Sequence, residues 1–116
     1  KVQGRAEASA EQIKKDLKAV EEAGSFSVVI EAVVESLAQE LTGISSIATI
    51  GIGASNSCDG QILVSQDMLG YFEKVPKFVR TYADFSAQMH KVFKQYRSDV
   101  RDRKFPDSKE VYVSSK

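Results

Sequence analysis

The stretch SVVIEAVVESLAQELTGISSIATIGIGASNSCDG (Ser27–Gly60) contains two short apolar runs with a helical pattern between them. The first run, Phe26–Ile30, is rich in β-branched residues and does not alternate with polar ones, which is typical of a parallel strand covered on both faces. The second run, Ile47–Ile52, ends in a polar loop that contains glycine. Between them, apolar residues recur at helical spacing as far as Gly43. This order predicts an α/β fold with a parallel sheet.

The alternation of helices and strands continues on both sides of this stretch. Ser9 is predicted to cap a first helix, supported by a Glu11–Lys15 pair, and Gly24 stands where that helix is expected to end. Gln61–Val64 is predicted to be a third strand, and Pro76 to introduce a long helical region. Its apolar residues recur every three or four positions: Phe78, Tyr82, Phe85, Met89, Val92, Phe93, Tyr96 and Val100.

Composition indicates one small globular domain. The chain has 116 residues, 42% of them hydrophobic, and its 16 lysines and arginines balance its 16 acidic residues. This balance predicts neither nucleic acid nor a membrane surface as a partner. No apolar run approaches about 18 residues and the N-terminus has no signal-peptide pattern. The lone cysteine favours a reducing compartment, and a cytoplasmic location is predicted. A single cysteine, Cys58, cannot form an internal disulfide, and a single histidine, His90, excludes most histidine-based sites within the chain.

Three parallel strands leave two unpaired edges, which is a poor arrangement for an independent protein. A (β/α)₈ barrel has about 250 residues, of which this chain would supply a little under half. The chain opens on Lys1–Arg5 without an initiator methionine, and we therefore expect it to be part of something longer. The alternative is a small three-layer sandwich that dimerises to cover its edges.

Seven blocks in order carry a resemblance to a known family: KVQGR (1–5), VVIEAV (28–33), TIGIGAS (49–55), CDGQILV (58–64), QDMLG (66–70), PKFVRTYAD (76–84) and FPDSKE (105–110). Together they resemble the C-terminal part of the ketopantoate hydroxymethyltransferases, over essentially the whole chain. That family has a TIM-barrel fold of the phosphoenolpyruvate/pyruvate superfamily. The resemblance implies that the three strands are the sixth, seventh and eighth of the barrel. It also implies that residues 1–104 belong to the catalytic domain, with 105–116 as a polar C-terminal tail.

The resemblance implies an activity and its requirements. Members of the family convert 3-methyl-2-oxobutanoate and 5,10-methylenetetrahydrofolate to ketopantoate, in pantothenate biosynthesis, with Mg²⁺ as cofactor. The metal ligands and the residues that hold the keto acid lie on earlier strands, outside this chain. The expected partners are therefore the N-terminal half of the barrel and further copies of the protein, because bacterial members form decameric rings.

Glu31, directly after the first apolar run, is the predicted catalytic residue. In the family, the matching glutamate is the proposed proton acceptor. A carboxylate at the end of an apolar strand is expected to be partly desolvated, which makes it a better base. The alternatives are that Glu31 caps the following helix or pairs with a lysine. Ala32 and Val34 depart from the family, which usually has cysteine and proline there.

Other residues have weaker signals. Gly51 and Gly53 stand where a tight strand-to-loop turn, or a close backbone approach to a ligand, would need glycine, and plain turn geometry is favoured over a phosphate cradle. Asp59, Gln61 and Asp67 border the third strand, and loop support is favoured over substrate contact.

Three remaining positions have little predicted role. Gln66 stands where many family members have histidine. Cys58 is expected to be either a small buried residue or a loop thiol without a role, and His90 to be packing or surface. Two other functions stay open. One is a non-enzymatic half-barrel module that acts through oligomerisation or a partner, and the other is a related lyase that acts on a 2-oxo acid.

Overall fold

The computed structural model describes residues 2–114. Its elements are α1 (Glu7–Glu22), β1 (Ser27–Glu31), α2 (Glu35–Ile44), β2 (Ala48–Ile52), β3 (Gly60–Gln61), α3 (Ser65–Met68) and α4 (Phe85–Arg101). The chain divides into two compact units. The first contains the residues up to Val64 together with Pro76–Val79, and the second contains Ser65–Val75 and the residues from Arg80 onward.

The first unit is built on a parallel sheet with the strand order β1-β2-β3, which confirms the predicted α/β class and parallel pairing. In its register, Glu31 lies opposite Ile52 and Ile50 lies opposite Gly60. A further parallel bridge joins Gln3 to Val33, beyond the end of β1. Neighbours in the sheet are thus neighbours along the chain, as in a barrel wall.

Both long helices of the first unit cover the same face of the sheet. Leu17 from α1 and Leu37 from α2 form one buried core with Ile30 of β1, and Val28 packs against it. Val29, between these two strand residues, is 53% exposed. Because side chains alternate along a strand, the opposite face of β1 is uncovered by the described residues. The expectation that β1 is covered on both faces is therefore wrong for these residues, and so is a three-layer sandwich built from α1 and α2.

The predicted helix start and ion pair in α1 are displaced. The helix begins at Glu7, and the hydroxyl of Ser9, predicted to be the cap, instead accepts a hydrogen bond from the Gly4 amide (3.3 Å). Lys14 forms the ion pairs in place of Lys15. Its ammonium lies 3.2 Å from a carboxylate oxygen of Glu11 and 2.6 Å from one of Glu40, which joins α1 to α2. The pair with Glu40 of α2 explains why Lys14 is used, because the i,i+4 rule considers only residues of one helix and not those of the helix packed beside it. Gly24 follows the helix with a φ of 87°, as expected of a C-terminal glycine.

β3 is shorter than predicted. Its ladder contains only Gly60 and Gln61, followed by one further bond from the Ile62 amide to the Gly51 carbonyl (3.0 Å). Residues 53–59 connect it to β2 without a helix, although parallel strands are usually joined by about a dozen residues or more. The apolar character of Ile62 and Val64 predicted a buried strand as far as Val64. Both side chains are half exposed, and β3 ends at Gln61.

In the second unit, α4 begins at Phe85 and not near Pro76. The Asp84 carboxylate accepts a hydrogen bond from the Ala87 amide (2.9 Å) and so caps the helix. The preceding backbone is held by another segment, because the Tyr82 amide donates to the Met68 carbonyl (2.7 Å). Phe78 and Tyr82 therefore lie outside the helix. Among residues 2–114, no helix is both long and apolar enough to cross a bilayer.

Candidate functional site at the carboxyl ends of the strands

Glu31 lies at the carboxyl end of β1, on the face of the sheet opposite the helices. The next amide, that of Ala32, donates to the Ile52 carbonyl (2.9 Å), so the end of β1 is fixed to the end of β2. The Glu31 side chain is exposed, and the expected partial burial is therefore absent in this part of the protein. In a parallel barrel, this end and this face of the sheet form the mouth of the active site.

The two structural alternatives for Glu31 are not observed within residues 2–114. The N-cap of α2 is Val34, and no side chain caps that helix. The Glu31 carboxylate forms neither an ion pair nor a hydrogen bond with any described residue. The two carboxylate oxygens of Glu31 are consequently available to a ligand on the face of the sheet opposite the helices.

Ala32 has a left-handed backbone conformation, with a φ of 50°. This region costs a non-glycine residue about 1–2 kcal/mol. Hydrogen bonds hold it from both sides, because the Ala32 amide donates to Ile52 and its carbonyl accepts from the Gln3 amide (2.8 Å). The N-terminal segment and β2 together therefore impose the conformation that ends β1 directly after Glu31.

Two glycines permit close packing around the end of β2. A Cβ on Gly51 would lie 2.9 Å from the amide nitrogen and oxygen of the Gln61 side chain and 3.1 Å from the Cys58 sulfur. A Cβ on Gly53 would lie 2.5 Å from Cγ of Phe78, and Gly53 has a φ of 62°. The groups that approach both glycines are the protein's own side chains, so packing and turn geometry account for glycine at these positions. The alternative, a close approach of a ligand, stays a prediction.

The connection between β2 and β3 is fixed by polar contacts. The Asp59 carboxylate accepts hydrogen bonds from the Thr49 amide (2.8 Å) and hydroxyl (3.0 Å), and the Gln61 amide nitrogen donates to the Ser55 carbonyl (2.7 Å). The bond from the Thr49 amide, with the hydroxyl bond second, lowers the pKa of Asp59 below its ordinary value. Asp59 and Gln61 therefore support the loop, as favoured from the sequence.

The remaining predicted residues have structural surroundings. Cys58 is buried against the first core, as predicted, with the Thr42 hydroxyl 3.6 Å from its sulfur. In the second unit, the Gln66 carbonyl accepts from the Tyr71 amide (3.0 Å), and the Asp67 carbonyl from the Gly70 amide (3.1 Å), so both support a turn through their backbone. His90 is exposed on α4, in agreement with a surface position.

The described residues do not form a magnesium site. Mg²⁺ prefers several oxygen ligands in octahedral order, and Glu31 provides one carboxylate. No group of three His, Cys, Asp or Glu side chains converges anywhere in residues 2–114. No chemical step is therefore assigned to a metal held by these residues.

Sequence reasoning missed two residues that fix the backbone of this sheet. Gln3 pairs with the backbone beyond Glu31, and Thr49, fully buried, joins β2 to Asp59. A hydroxyl in the middle of an apolar strand was the available signal for Thr49, because a buried hydroxyl needs a partner. For Gln3, the chain offers no comparable pattern.

Comparison with known proteins supplies the family. The sequence model described as ketopantoate hydroxymethyltransferase matches residues 1–108. The chain belongs to this family. It is 56% identical to the 3-methyl-2-oxobutanoate hydroxymethyltransferase of Bartonella quintana (strain Toulouse), over 97% of the chain and 41% of that protein. It is 48% identical to the enzyme of that name from Caulobacter vibrioides (strain NA1000 / CB15N), over 100% of the chain and 42% of that protein.

The match covers nearly all of this chain but less than half of each relative's length. A third relative of the same name, from Sphingopyxis alaskensis, is 49% identical over 97% of the chain and 39% of its own length. The chain therefore spans about two fifths of the length of the curated relatives it matches.

Proposed function

We propose that this chain is the C-terminal portion of a TIM-barrel enzyme that transfers a hydroxymethyl group from 5,10-methylenetetrahydrofolate to 3-methyl-2-oxobutanoate. The product is ketopantoate, in the pathway to pantothenate. Family membership supports the reaction class. The observation that carries the assignment of the site is the position of Glu31, at the carboxyl end of β1 on the face without helices.

The sheet supports the place of the chain in a barrel. Parallel strands in sequential order with α1 and α2 on one face are what consecutive units of a (β/α)₈ wall require. We assign β1, β2 and β3 to the sixth, seventh and eighth strands, on the strength of the seven sequence blocks. The bridge at Gln3 then corresponds to the end of the fifth strand. The exposed side chain of Val29 would face the barrel interior.

In the proposed mechanism, Glu31 accepts the proton from C3 of the keto acid, next to the ketone. Water hydrolyses the methylene bridge of the folate donor, which breaks both of its C–N bonds and releases tetrahydrofolate and formaldehyde. The enolate then attacks the formaldehyde carbon, so that a C–C bond forms while the C=O bond becomes the protonated hydroxyl of the product. A positioned general base typically contributes about 10²–10⁴-fold in rate. The conformation of Ala32 and its two hydrogen bonds fix the backbone that carries this carboxylate.

The rest of the proposal concerns components outside this chain. The N-terminal half of the barrel supplies the Mg²⁺ ligands and the residues that hold the keto acid. The 1–104 region belongs to the catalytic domain and residues 105–116 form a polar tail. We place the complete enzyme in the cytoplasm as a homo-oligomer, by analogy with bacterial members of the family.

The test uses a complete enzyme that contains this segment. Exchange of the C3 proton of 3-methyl-2-oxobutanoate with deuterated water, followed by NMR without folate, isolates proton abstraction. Glu31→Gln keeps the shape of the side chain and removes the base, and we expect exchange to slow by about 10²–10⁴-fold. Glu35→Gln, an exposed glutamate in the first turn of α2, is the matched control and should exchange at the wild-type rate. Wild-type exchange by Glu31→Gln would show that Glu31 is not the base.

A further inference from the structure

Phe78 lies against the carboxyl edge of the sheet, although no part of the proposed mechanism uses it. Its ring packs on Gly53, whose missing Cβ would stand 2.5 Å from Cγ and 2.6 Å from Cδ1 of the ring. Only a glycine leaves this space, and the φ of 62° at Gly53 also favours glycine. Phe78 is 39% exposed, so part of the ring remains open to solvent.

The position of Gly53 relates Phe78 to Glu31. Glu31 is paired with Ile52, and adjacent strands lie about 4.8 Å apart. Gly53 follows Ile52 directly, outside the strand, with its Cα about 3.8 Å from that of Ile52. Phe78 consequently stands beside the strand end that neighbours Glu31, one residue further out from the sheet.

From this placement we propose that Phe78 contacts the ring system of the one-carbon donor. The inference rests on the proposed function, because it takes Glu31 as the base. The keto acid is small, and its C3 must lie within hydrogen-bond reach of the Glu31 carboxylate. The folate donor is much larger, carries a flat pyrimidinone ring fused to a reduced ring, and has to approach the enolate from the solvent side. The Phe78 ring, which lies beyond the end of β2, is therefore placed to contact the donor and not the keto acid.

The chemistry of the contact is stacking. Aromatic rings pair in offset or edge-to-face geometry with a preference beyond simple burial. Stacking of a heteroaromatic ring on a protein aromatic residue is worth about 1–3 kcal/mol by alanine substitution. This corresponds to about 5- to 150-fold in affinity. The contact involves no covalent step, and its effect is expected on donor binding alone.

The experiment measures two steps in the complete enzyme. For Phe78→Ala, we expect the KM for 5,10-methylenetetrahydrofolate to rise by about 5- to 150-fold. C3 proton exchange without folate should stay at the wild-type rate, which also shows that the variant is folded. Phe26→Ala is the matched control, because Phe26 is 90% exposed and precedes β1 at the opposite end of the strand. Neither measurement should change in that variant.

A second variant moves the ring without removing it. Gly53→Ala places a methyl group where Phe78 packs, so it should raise the donor KM in the same direction as Phe78→Ala. Calorimetric titration with tetrahydrofolate should show the same loss of affinity in both variants. An unchanged donor KM in Phe78→Ala would overturn the proposal, and so would an equal loss of exchange, which would assign Phe78 to the keto acid. If Glu31→Gln exchanges normally while Phe78→Ala still weakens the donor, the proposed base fails and the donor contact stands.

Discussion

Thr49, the second residue of β2, is completely buried, and its amide and hydroxyl both donate to the Asp59 carboxylate. The Asp59 amide donates back to the same hydroxyl (3.2 Å). The loop from Gly53 to Asp59 is therefore fastened to the strand from which it departs. A β-branched residue in an apolar run correctly predicted a strand, but its partner ten positions later follows only from the folded loop.

This contact predicts a pH dependence of stability. The pKa of Asp59 lies below its ordinary value of 3.8 because the Thr49 amide, and then its hydroxyl, bind the ionised form. Since the folded-state value is lowered, the stabilisation is fully present above the unfolded-state value and is lost as the pH falls through the folded-state value. Asp59→Asn removes the ionisation. The urea midpoint of the wild type should exceed that of the variant by a constant amount above about pH 5, and the difference should shrink below 3.8.

Asp67→Asn is the control for this pH dependence, because the described hydrogen bond of Asp67 is made by its carbonyl. Its midpoint should follow the wild type across the whole range. A difference between wild type and Asp59→Asn that stays constant down to pH 2 would contradict the assignment of the stabilisation to the ionised Asp59.

At the scale of elements, the first unit was predicted more accurately than the second. β1 and β2 lie within one residue of their predicted bounds, because short β-branched runs between helical patterns have few alternatives. The region from Pro76 to Asp84 has helical spacing but is not a helix. The spacing was misleading there, because Asp84 caps α4 and the Tyr82 amide is bonded to Met68, and a periodicity search contains neither contact.

α4 has an apolar stripe that residues 2–114 leave exposed. Val92 is 62% exposed, Phe93 67% and Tyr96 54%, and the ring of Tyr96 contacts only Phe105 edge-on among the described aromatic residues (5.4 Å between centroids). Each large apolar side chain gains about 1.5–3 kcal/mol when it is fully buried. We therefore predict that this stripe packs on the outside of the barrel or against a neighbouring subunit in the assembled protein.

The prediction for α4 is tested by charge substitution. Phe93→Asp in the complete enzyme should lower the free energy of unfolding by at least about 1.5 kcal/mol, or reduce the oligomer size in sedimentation. Lys91→Asp, which falls on the other side of the helix by its 3.6-residue period, is the control and should do neither. A structure of the assembly with most of the stripe exposed would contradict the prediction.

At the scale of the whole molecule, the parallel sheet and the family followed from the sequence, and the uncovered sheet face did not. An apolar run without polar alternation indicates burial on both faces, yet Val29 has no cover from residues 2–114. The predicted burial of both faces of β1 and the exposure of Val29 agree if the remaining strands of a barrel cover the face that carries Val29. Patterning records the environment of a residue in the complete protein, so in a chain that spans about two fifths of its relatives' length it can indicate more burial than residues 2–114 provide.

The last prediction concerns this chain alone. Glu31 is a single carboxylate, and no three metal-binding side chains converge in residues 2–114. We therefore expect the isolated 116-residue chain to bind Mg²⁺ no more tightly than a chain with Glu31→Gln, in a calorimetric titration, and to form no ketopantoate. Mixing it with the remainder of a relative's barrel, about three fifths of that protein, should restore both properties.

The two remaining functions give different results in the same experiment. A non-enzymatic half-barrel module would pair with the other half, or with itself, without gaining turnover. A lyase of the same superfamily would gain turnover that cleaves a 2-oxo acid without using folate. Mass spectrometry confirms that only the 116-residue chain is present in the first measurement. Ketopantoate formed by that chain alone would show that Glu31 and its surroundings suffice, and that the division of the site between the two halves of the barrel is wrong.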